Sequence, residues 1–402
     1  MNVAIVILYE KINERVFLEG SALIEEGYQI QTYLWKRGGL QEPQRTEVED
    51  QKMGAVYIDV PWHGELYRLV GALFRFFARL WRRLDDEQPD VLHVTHFALL
   101  PFALAWKIRY RGKVVYDCFE FHAHSIARRL PIGRRVLRRI LYWVEGFLAS
   151  KCDAVLTVTS ADDFLVKWYK RFNPNSHVLR NVPPVDIAPD EDAVCRLTEK
   201  YQDQRIALYV GHISEDKGSL RMLRLLKRLH EKGEPLRLVC VGSFRKGSRD
   251  EFWTLANELD IADFIDEVPW VPFREMLAYV SVATLGLAIF DEEDQRIRLL
   301  GVGNARKLFI YLRFGLPLVI SDFGQMGAFV SKQGIGIVMK EDDSDTNIDQ
   351  LIKVLNDEEA HKEMSKKGRE LIEQDFNWNV DKARLLGVYR GLTISGRVRH
   401  LD

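Results

Sequence analysis

Cysteine is scarce in this chain and scattered. Cys118, Cys152, Cys195 and Cys240 are the four in 402 residues and form no Cys-x-x-Cys pair. That spacing excludes a zinc ribbon and a disulfide framework, and the four are expected as small buried hydrophobes in a reducing cytosol. Long apolar runs are missing too: none approaches the roughly 18–20 residues a bilayer-spanning helix needs. The opening Met1-Asn2-Val3-Ala4-Ile5-Val6-Ile7-Leu8 lacks the basic flank of a signal peptide, so it reads as a first buried strand and the protein as cytoplasmic. Net charge is nearly absent, 57 Lys and Arg against 58 Asp and Glu, or −1, which leaves no global electrostatic footprint for nucleic acid. Asp85-Asp86 reads as a solvated helix end, and no metal site is expected.

What is present is an alternation of strand and helix patterns. Val3–Leu8, Tyr28–Trp35, Ala55–Val60, Val91–Val94, Lys113–Tyr116 and Ala154–Val158 are strand candidates, with helical periodicity between them and Gly27 as a stop for the first helix. The rhythm breaks at Arg180-Asn181-Val182-Pro183-Pro184-Val185-Asp186, and the acidic, proline-containing Ile187–Asp192 that follows reads as a linker. It restarts with Ile206–Val210, Leu236–Val241, Leu285–Phe290, Leu316–Ser321 and Ile335–Val338, and the chain ends in helices. A βα rhythm with a break predicts an α/β protein of two doubly wound, Rossmann-like domains, about 1–185 and 196–378, with ligands at the carboxyl ends of parallel strands.

One segment carries the most chemistry. Arg205–Val210 runs into Gly211-His212-Ile213-Ser214-Glu215-Asp216-Lys217-Gly218, and an amphipathic helix follows with Leu220, Leu223, Leu225, Leu226 and Leu229. Free N–H groups at a helix start beside Lys217 make a place for a phosphate or pyrophosphate; the same residues also suit a surface βα turn with a solvated lysine. Two further segments point the same way. Leu238–Val241 ends in Gly242, which permits close approach of a ligand, and a polar helix start carries Asn304 and Lys307 before Gly315.

The order and spacing of these segments resemble the retaining glycosyltransferases of the GT-B fold in glycosyltransferase family 4 (group 1). The residues that carry the likeness are Val210–Gly218, Leu238–Gly242, Asn304–Val319 and Phe376-Asn377-Trp378. In the first half they are Arg15 in Ile12–Val16, Val115–Glu120, Asp153–Thr159 and Asn181. The resemblance covers essentially the whole chain. It implies two domains facing each other across a cleft, with a C-terminal helix, about 379–395, packing back on the first. It implies a nucleotide diphosphate sugar as donor, bound by Gly211, His212, Ser214, Gly242, Asn304 and Lys307, with Lys217, Asp117 and Glu120 in catalytic roles. It also implies a glycan or lipid-linked acceptor on the first domain, near Arg15, and a mechanism that needs neither metal nor cofactor.

The chain departs from that family's pattern at four positions. His212 stands for an arginine, Phe119 for a histidine, and Val302 and Ile310 for two glutamates. His122 and His124, or Glu292, Glu293 and Asp294, are the side chains nearest in sequence to replace what is lost. These departures motivate an alternative reading as a non-catalytic partner or scaffold of the same fold; a nucleotide-sugar epimerase is a third.

Two acid-free stretches hold eleven arginines: Arg68, Arg75, Arg79, Arg82 and Arg83 within Tyr67–Leu84, then Arg128, Arg129, Arg134, Arg135, Arg138 and Arg139. The first has Leu69, Leu73, Phe77, Leu80 and Leu84 at helical spacing; the second is followed by Ile140, Leu141, Trp143 and Phe147. Such helices either bury their apolar faces and solvate their arginines, or present a cationic surface to anionic lipid. The arginines Arg75, Arg79, Arg134 and Arg138 are the candidates for a peripheral contact with the inner face of the membrane.

Overall fold

The computed structural model describes residues 1–38, 51–62, 66–128, 134–159, 164–290, 301–322, 324–339 and 345–394. Its chain divides into two compact units, Met1–Asn181 with Asp381–Asp402, and Val182–Val380.

Among the described residues the first unit holds seven parallel strands: β1 (Asn2–Ile7), β2 (Gln29–Lys36), β3 (Ala55–Asp59), β4 (Val91–Val94), β5 (Lys113–Cys118), β6 (Ala154–Thr157) and β7 (Ser176–Val178). Their order is β3-β2-β1-β4-β5-β6-β7. The near-continuous apolar runs of β1 and β4 follow from burial on both faces: Val3 pairs with Ile30 on one side and Val91 on the other, and Val3 through Leu8 are buried. The order reverses at β1, which places a switch point between β1 and β4. Strand β7 has only three residues and no apolar run, so the sequence pattern did not reveal it.

Helix Glu14–Glu25 opens on Asn13, whose side chain accepts from the Val16 N–H at 2.9 Å, and the chain leaves it through Gly27 at φ +89°. Three other helices, Leu66–Glu87, Leu100–Tyr110 and Arg134–Ala149, pack side by side. Phe77 stacks on Phe102 at 5.1 Å, and Lys107 Nζ donates to the Lys151 carbonyl at 2.8 Å. The core stripe of the first of these helices is Ala72, Phe76, Leu80 and Leu84. It corrects the expected stripe: Leu69, Leu73 and Phe77 are only half-buried, because the helix is rolled toward Phe76, which packs on Trp35 at 5.6 Å.

The second unit holds β8 (Arg205–Val210), β9 (Leu236–Val241), β10 (Ile265–Val268), β11 (Leu285–Ala288), β12 (Leu318–Ser321) and β13 (Gly336–Met339), all parallel, in the order β10-β9-β8-β11-β12-β13. The acidic stretch that reads as a linker is instead a helix start. Asp190 accepts from the Ala193 N–H at 2.8 Å and opens helix Glu191–Lys200, whose Ala193 and Leu197 join this unit's core. An Asp followed by Glu-Asp is a good N-cap and first turn, a signal that the preceding prolines masked.

The last helix, Trp378–Ile394, enters the first unit from Asp381. Asp381 is fully buried, accepts from the Arg180 N–H at 2.8 Å and pairs with Arg180 Nη2 at 2.8 Å. Cys118, Cys152 and Cys240 are buried; Cys195 is exposed on the outer face of its helix, against expectation. Among the described residues no helix is long and apolar enough to cross a membrane.

Candidate active site

The carboxyl ends of β8 and β11 bring two lysines to one aromatic ring. Lys217 Nζ lies 5.5 Å from the centre of Phe290 and Lys307 Nζ lies 5.2 Å from it. Lys307 Nζ is also 4.0 Å above Tyr209 and donates to the Val210 carbonyl at 3.1 Å. Ring faces carry negative quadrupole potential and hold ammonium groups at such distances. The arrangement concentrates positive charge where helices Ser219–Glu231 and Arg306–Arg313 begin, so their N-terminal dipoles add to it.

The backbone around these lysines is drawn tight. Gly218 has φ +75°, and a Cβ on it would lie 1.5 Å from the Ile289 carbonyl oxygen; Gly242 has φ +150°, and its Cβ would lie 2.0 Å from the Gly211 oxygen. Only glycine fits at either position, so the loop is pressed onto the strand ends. Ser214 is buried and builds the turn: its carbonyl accepts from the Lys217 and Ser219 N–H groups at 2.9 and 3.2 Å, and its hydroxyl donates to Asp216. Ser214 is therefore part of the loop's frame. His212 is held by neighbours, with Nδ1 3.2 Å from Ser243 Oγ and its ring edge-on to Trp270 at 5.5 Å. Trp270 Nε1 also donates to Ser243 Oγ at 2.9 Å.

Of the expected donor residues, the structure thus brings together Gly211, Gly242, Lys217 and Lys307. Asn304 ends the short turn Val302–Asn304 before helix Arg306–Arg313 and is half-buried. Tyr209, Phe290, Ser243 and Trp270 escaped the sequence reading, since aromatic residues at strand ends look like ordinary core. Tyr311 escaped as well. Its hydroxyl accepts from the Val210 N–H at 2.9 Å, anchoring helix Arg306–Arg313 to the end of β8. Val302 and Ile310, the positions of the resembled family's glutamates, are buried in the apolar core of this unit. Glu292, Glu293 and Asp294 lie outside the described residues.

In the first unit Arg15 and Asp117 pair with each other. Arg15 does not lie on the surface: it is buried, with Nε 2.9 Å and Nη2 2.7 Å from the two oxygens of Asp117 and Nη1 donating to the Leu179 carbonyl at 2.9 Å. Asp117 is wholly buried, and the Arg15 guanidinium occupies both of its oxygens. Glu19, one helical turn beyond Arg15, pairs with its Nε at 2.9 Å. Burial and then the charge of Asp117 push the Glu19 carboxyl well above the usual carboxylate range, against the pull of Arg15. His93 on β4 completes the group, with Nε2 3.5 Å from Glu19 and Nδ1 2.8 Å from the Tyr389 hydroxyl; burial lowers its pKa to about 4.

Glu19, His93 and Asp117 place one ligand atom each within 4.8 Å of one another, but they do not fit a metal ion. The Arg15 guanidinium already sits on both oxygens of Asp117 and on Glu19, and a divalent cation would be set beside that fixed charge.

Glu120 is half-buried just beyond β5. At the same end of the sheet Phe119 faces Tyr9 at 6.4 Å and His122 at 5.9 Å, and His122 packs on His96 at 3.9 Å. His122 and His124 are buried in place of lying on a bent loop, and His124 bonds Tyr142 at 2.7 Å. Burial lowers the His122 pKa to about 4, and burial followed by the charges of His122 and Arg37 lowers that of His96 well below the usual value. Arg75, Arg79 and Arg138 are exposed. Arg134 begins its helix, but its side chain lies outside the described residues.

Comparison with known proteins places this architecture. Residues 14–181 match the family model of the glycosyl transferase 4-like domain. The whole chain has the fold of GT-B glycosyltransferases. It is similar to sucrose-phosphate synthase from Thermosynechococcus elongatus, at 16% identity and TM-score 0.72, over 98% of this chain and 100% of that one. Anabaena Alr3699/HepE in complex with UDP is similar at 11% identity and TM-score 0.74, over 97% and 100%. WaaG, a glycosyltransferase involved in lipopolysaccharide biosynthesis, is similar at 14% and 0.65, over 96% and 99%. No curated protein matches the sequence.

Proposed function

We propose that this protein is a retaining, metal-independent glycosyltransferase that moves a sugar from a nucleotide diphosphate sugar to a glycan or lipid-linked acceptor at the cytoplasmic face of the membrane. The observation that carries the reading is the convergence of Lys217 and Lys307 on Phe290, beside a glycine-tight loop and two helix starts. Two ammonium groups match the charge of a diphosphate. They also stabilise the charge that grows on the leaving phosphate oxygen as its bond to the anomeric carbon breaks. The acceptor oxygen bonds that carbon on the same face, and its proton passes to the departing phosphate. The protein then supplies positioning and fixed positive charge, and no residue need form a covalent intermediate. Anabaena Alr3699/HepE in complex with UDP-glucose supports a nucleotide sugar as donor.

Purified protein incubated with a panel of nucleotide sugars and membrane extract is expected to release nucleoside diphosphate, and Lys217→Ala is expected to stop the release. Absence of release from every donor would leave the second reading, a non-catalytic partner of the same fold. One observation favours that reading: Val302 and Ile310 are core residues of the second unit and offer a donor no carboxylate.

A further inference from the structure

We infer that the helical layer formed by Leu66–Glu87, Leu100–Tyr110 and Arg134–Ala149 is a membrane-docking face that inserts aromatic side chains into an anionic bilayer. The observation that carries it was not available from the sequence. Helix Arg134–Ala149 turns Glu145, Gly146 and Ala149 inward, and this leaves Val136, Ile140, Trp143 and Phe147 on its outer side, Trp143 at 61% exposure. Their spacing is helical, so they form one stripe. Trp143 and Phe147 stack on each other at 5.4 Å with planes 12° apart. The neighbouring helices add Ile108, 83% exposed, and Phe74, 70% exposed.

Single exposed hydrophobes are ordinary, but a stripe of four on one helix face needs a cover. Its surroundings select the occupant. Exposed Arg75, Arg79, Arg82, Arg83, Arg138 and Arg139 share these helices, and Lys151 Nζ lies 5.3 Å over Phe147. The exposed acids of these helices, Asp85 to Glu87, gather at the far end of the first helix, and Glu145 is buried. Apolar side chains among cations fit a bilayer interface carrying anionic headgroups, where tryptophan is a favoured anchor. A second copy of the chain fits poorly, because an isologous contact on this stripe would bring two cationic helical layers together.

This deepens the membrane part of the proposed function and rests on it only for the location of the acceptor; docking itself requires no donor chemistry. The test is flotation of the full-length protein with vesicles, about one third anionic phospholipid in a zwitterionic background, at physiological salt. The wild type is expected to float with these vesicles and not with purely zwitterionic ones. The doubly substituted Trp143→Ser/Phe147→Ser protein is expected to lose about tenfold or more of its partition with an unchanged thermal melt, since both residues are exposed. The Arg138→Glu/Arg139→Glu protein is expected to lose the anionic preference while keeping its fold. Failure of the wild type to float overturns the inference, as does equal flotation of wild type and both variants. A dimer in sedimentation that Trp143→Ser/Phe147→Ser dissociates would give the stripe to a second copy and also overturns it. Nucleoside diphosphate binding, measured without vesicles, reports separately on the donor site.

Discussion

Arg15 and Asp117 are 102 residues apart in sequence and meet through two hydrogen bonds of 2.9 and 2.7 Å, both side chains buried. The pair joins the first helix to the centre of the sheet, and through Leu179 and His93 it reaches the end of β7 and the C-terminal helix. A buried pair of this kind is costly to break from one side, because the remaining charge has no partner. Asp117→Asn is expected to destabilise the first unit by about 3 kcal/mol. The double variant Arg15→Met/Asp117→Leu is expected to cost less than the two single changes added. Calorimetric unfolding of the four proteins measures the coupling.

The buried histidines make the first unit acid-sensitive. His93 and His122 have folded pKa values near 4 against an ordinary 6.5. The unfolded chain therefore binds more protons than the folded one between these values. Stability from each histidine is fully present above about pH 6.5 and is lost as the pH falls toward 4, on the order of 3 kcal/mol apiece. Glu145 works in the opposite sense: burial raises its pKa to about 7, so its contribution is present below pH 4.5 and falls away as the pH rises through 7. Urea unfolding at steps between pH 4.5 and 6.5 is expected to show a smaller gain, or larger loss, of stability with rising pH in His122→Gln than in the wild type. An unchanged slope in that variant would count against the assignment.

The loop at Gly218 has no room for a side chain. Gly218→Ala sets a methyl 1.5 Å from the Ile289 oxygen at a φ of +75°. The expected result is a loss of roughly 2 kcal/mol or more from the second unit together with loss of nucleotide binding. Gly233→Ala serves as control. It also has positive φ, +82°, but no atom within 4 Å of its added Cβ, so it should cost less and leave binding intact.

Restoring the resembled family's glutamate is expected to harm this chain. Ile310 is packed in the core of the second unit, and a carboxylate placed there is desolvated without a partner. Ile310→Glu should lower the midpoint of thermal unfolding, at a cost of about 3 kcal/mol, without tightening nucleotide binding. Tighter binding at unchanged stability would mean that the position opens toward the ligand.

The fold and the site differ in how far their physical signals are carried by the sequence. Strands such as β4 and β9 were legible because burial on both faces leaves an unbroken apolar run. The lysines and glycines of the donor loop were legible because few residue types serve that geometry. Arg15 and Asp117 were legible only as charged residues at strand and helix ends; their mutual contact, which pairs them in the interior, was not. The outward stripe of Arg134–Ala149 was illegible for a different reason. An apolar helical face has the same period whether it turns to the core or to solvent, and the orientation is fixed by the buried Glu145, which accepts from Tyr116 and Tyr169 at 2.8 and 2.6 Å.

The most direct test of the donor site is titration calorimetry of the full-length protein with a set of nucleoside diphosphates. At least one is expected to bind, and Lys217→Ala and Lys307→Ala should each weaken it about tenfold or more, the cost of one charge-assisted contact. No binding by any nucleoside diphosphate, or binding that survives both substitutions unchanged, would contradict the assignment of Lys217 and Lys307 to the donor diphosphate.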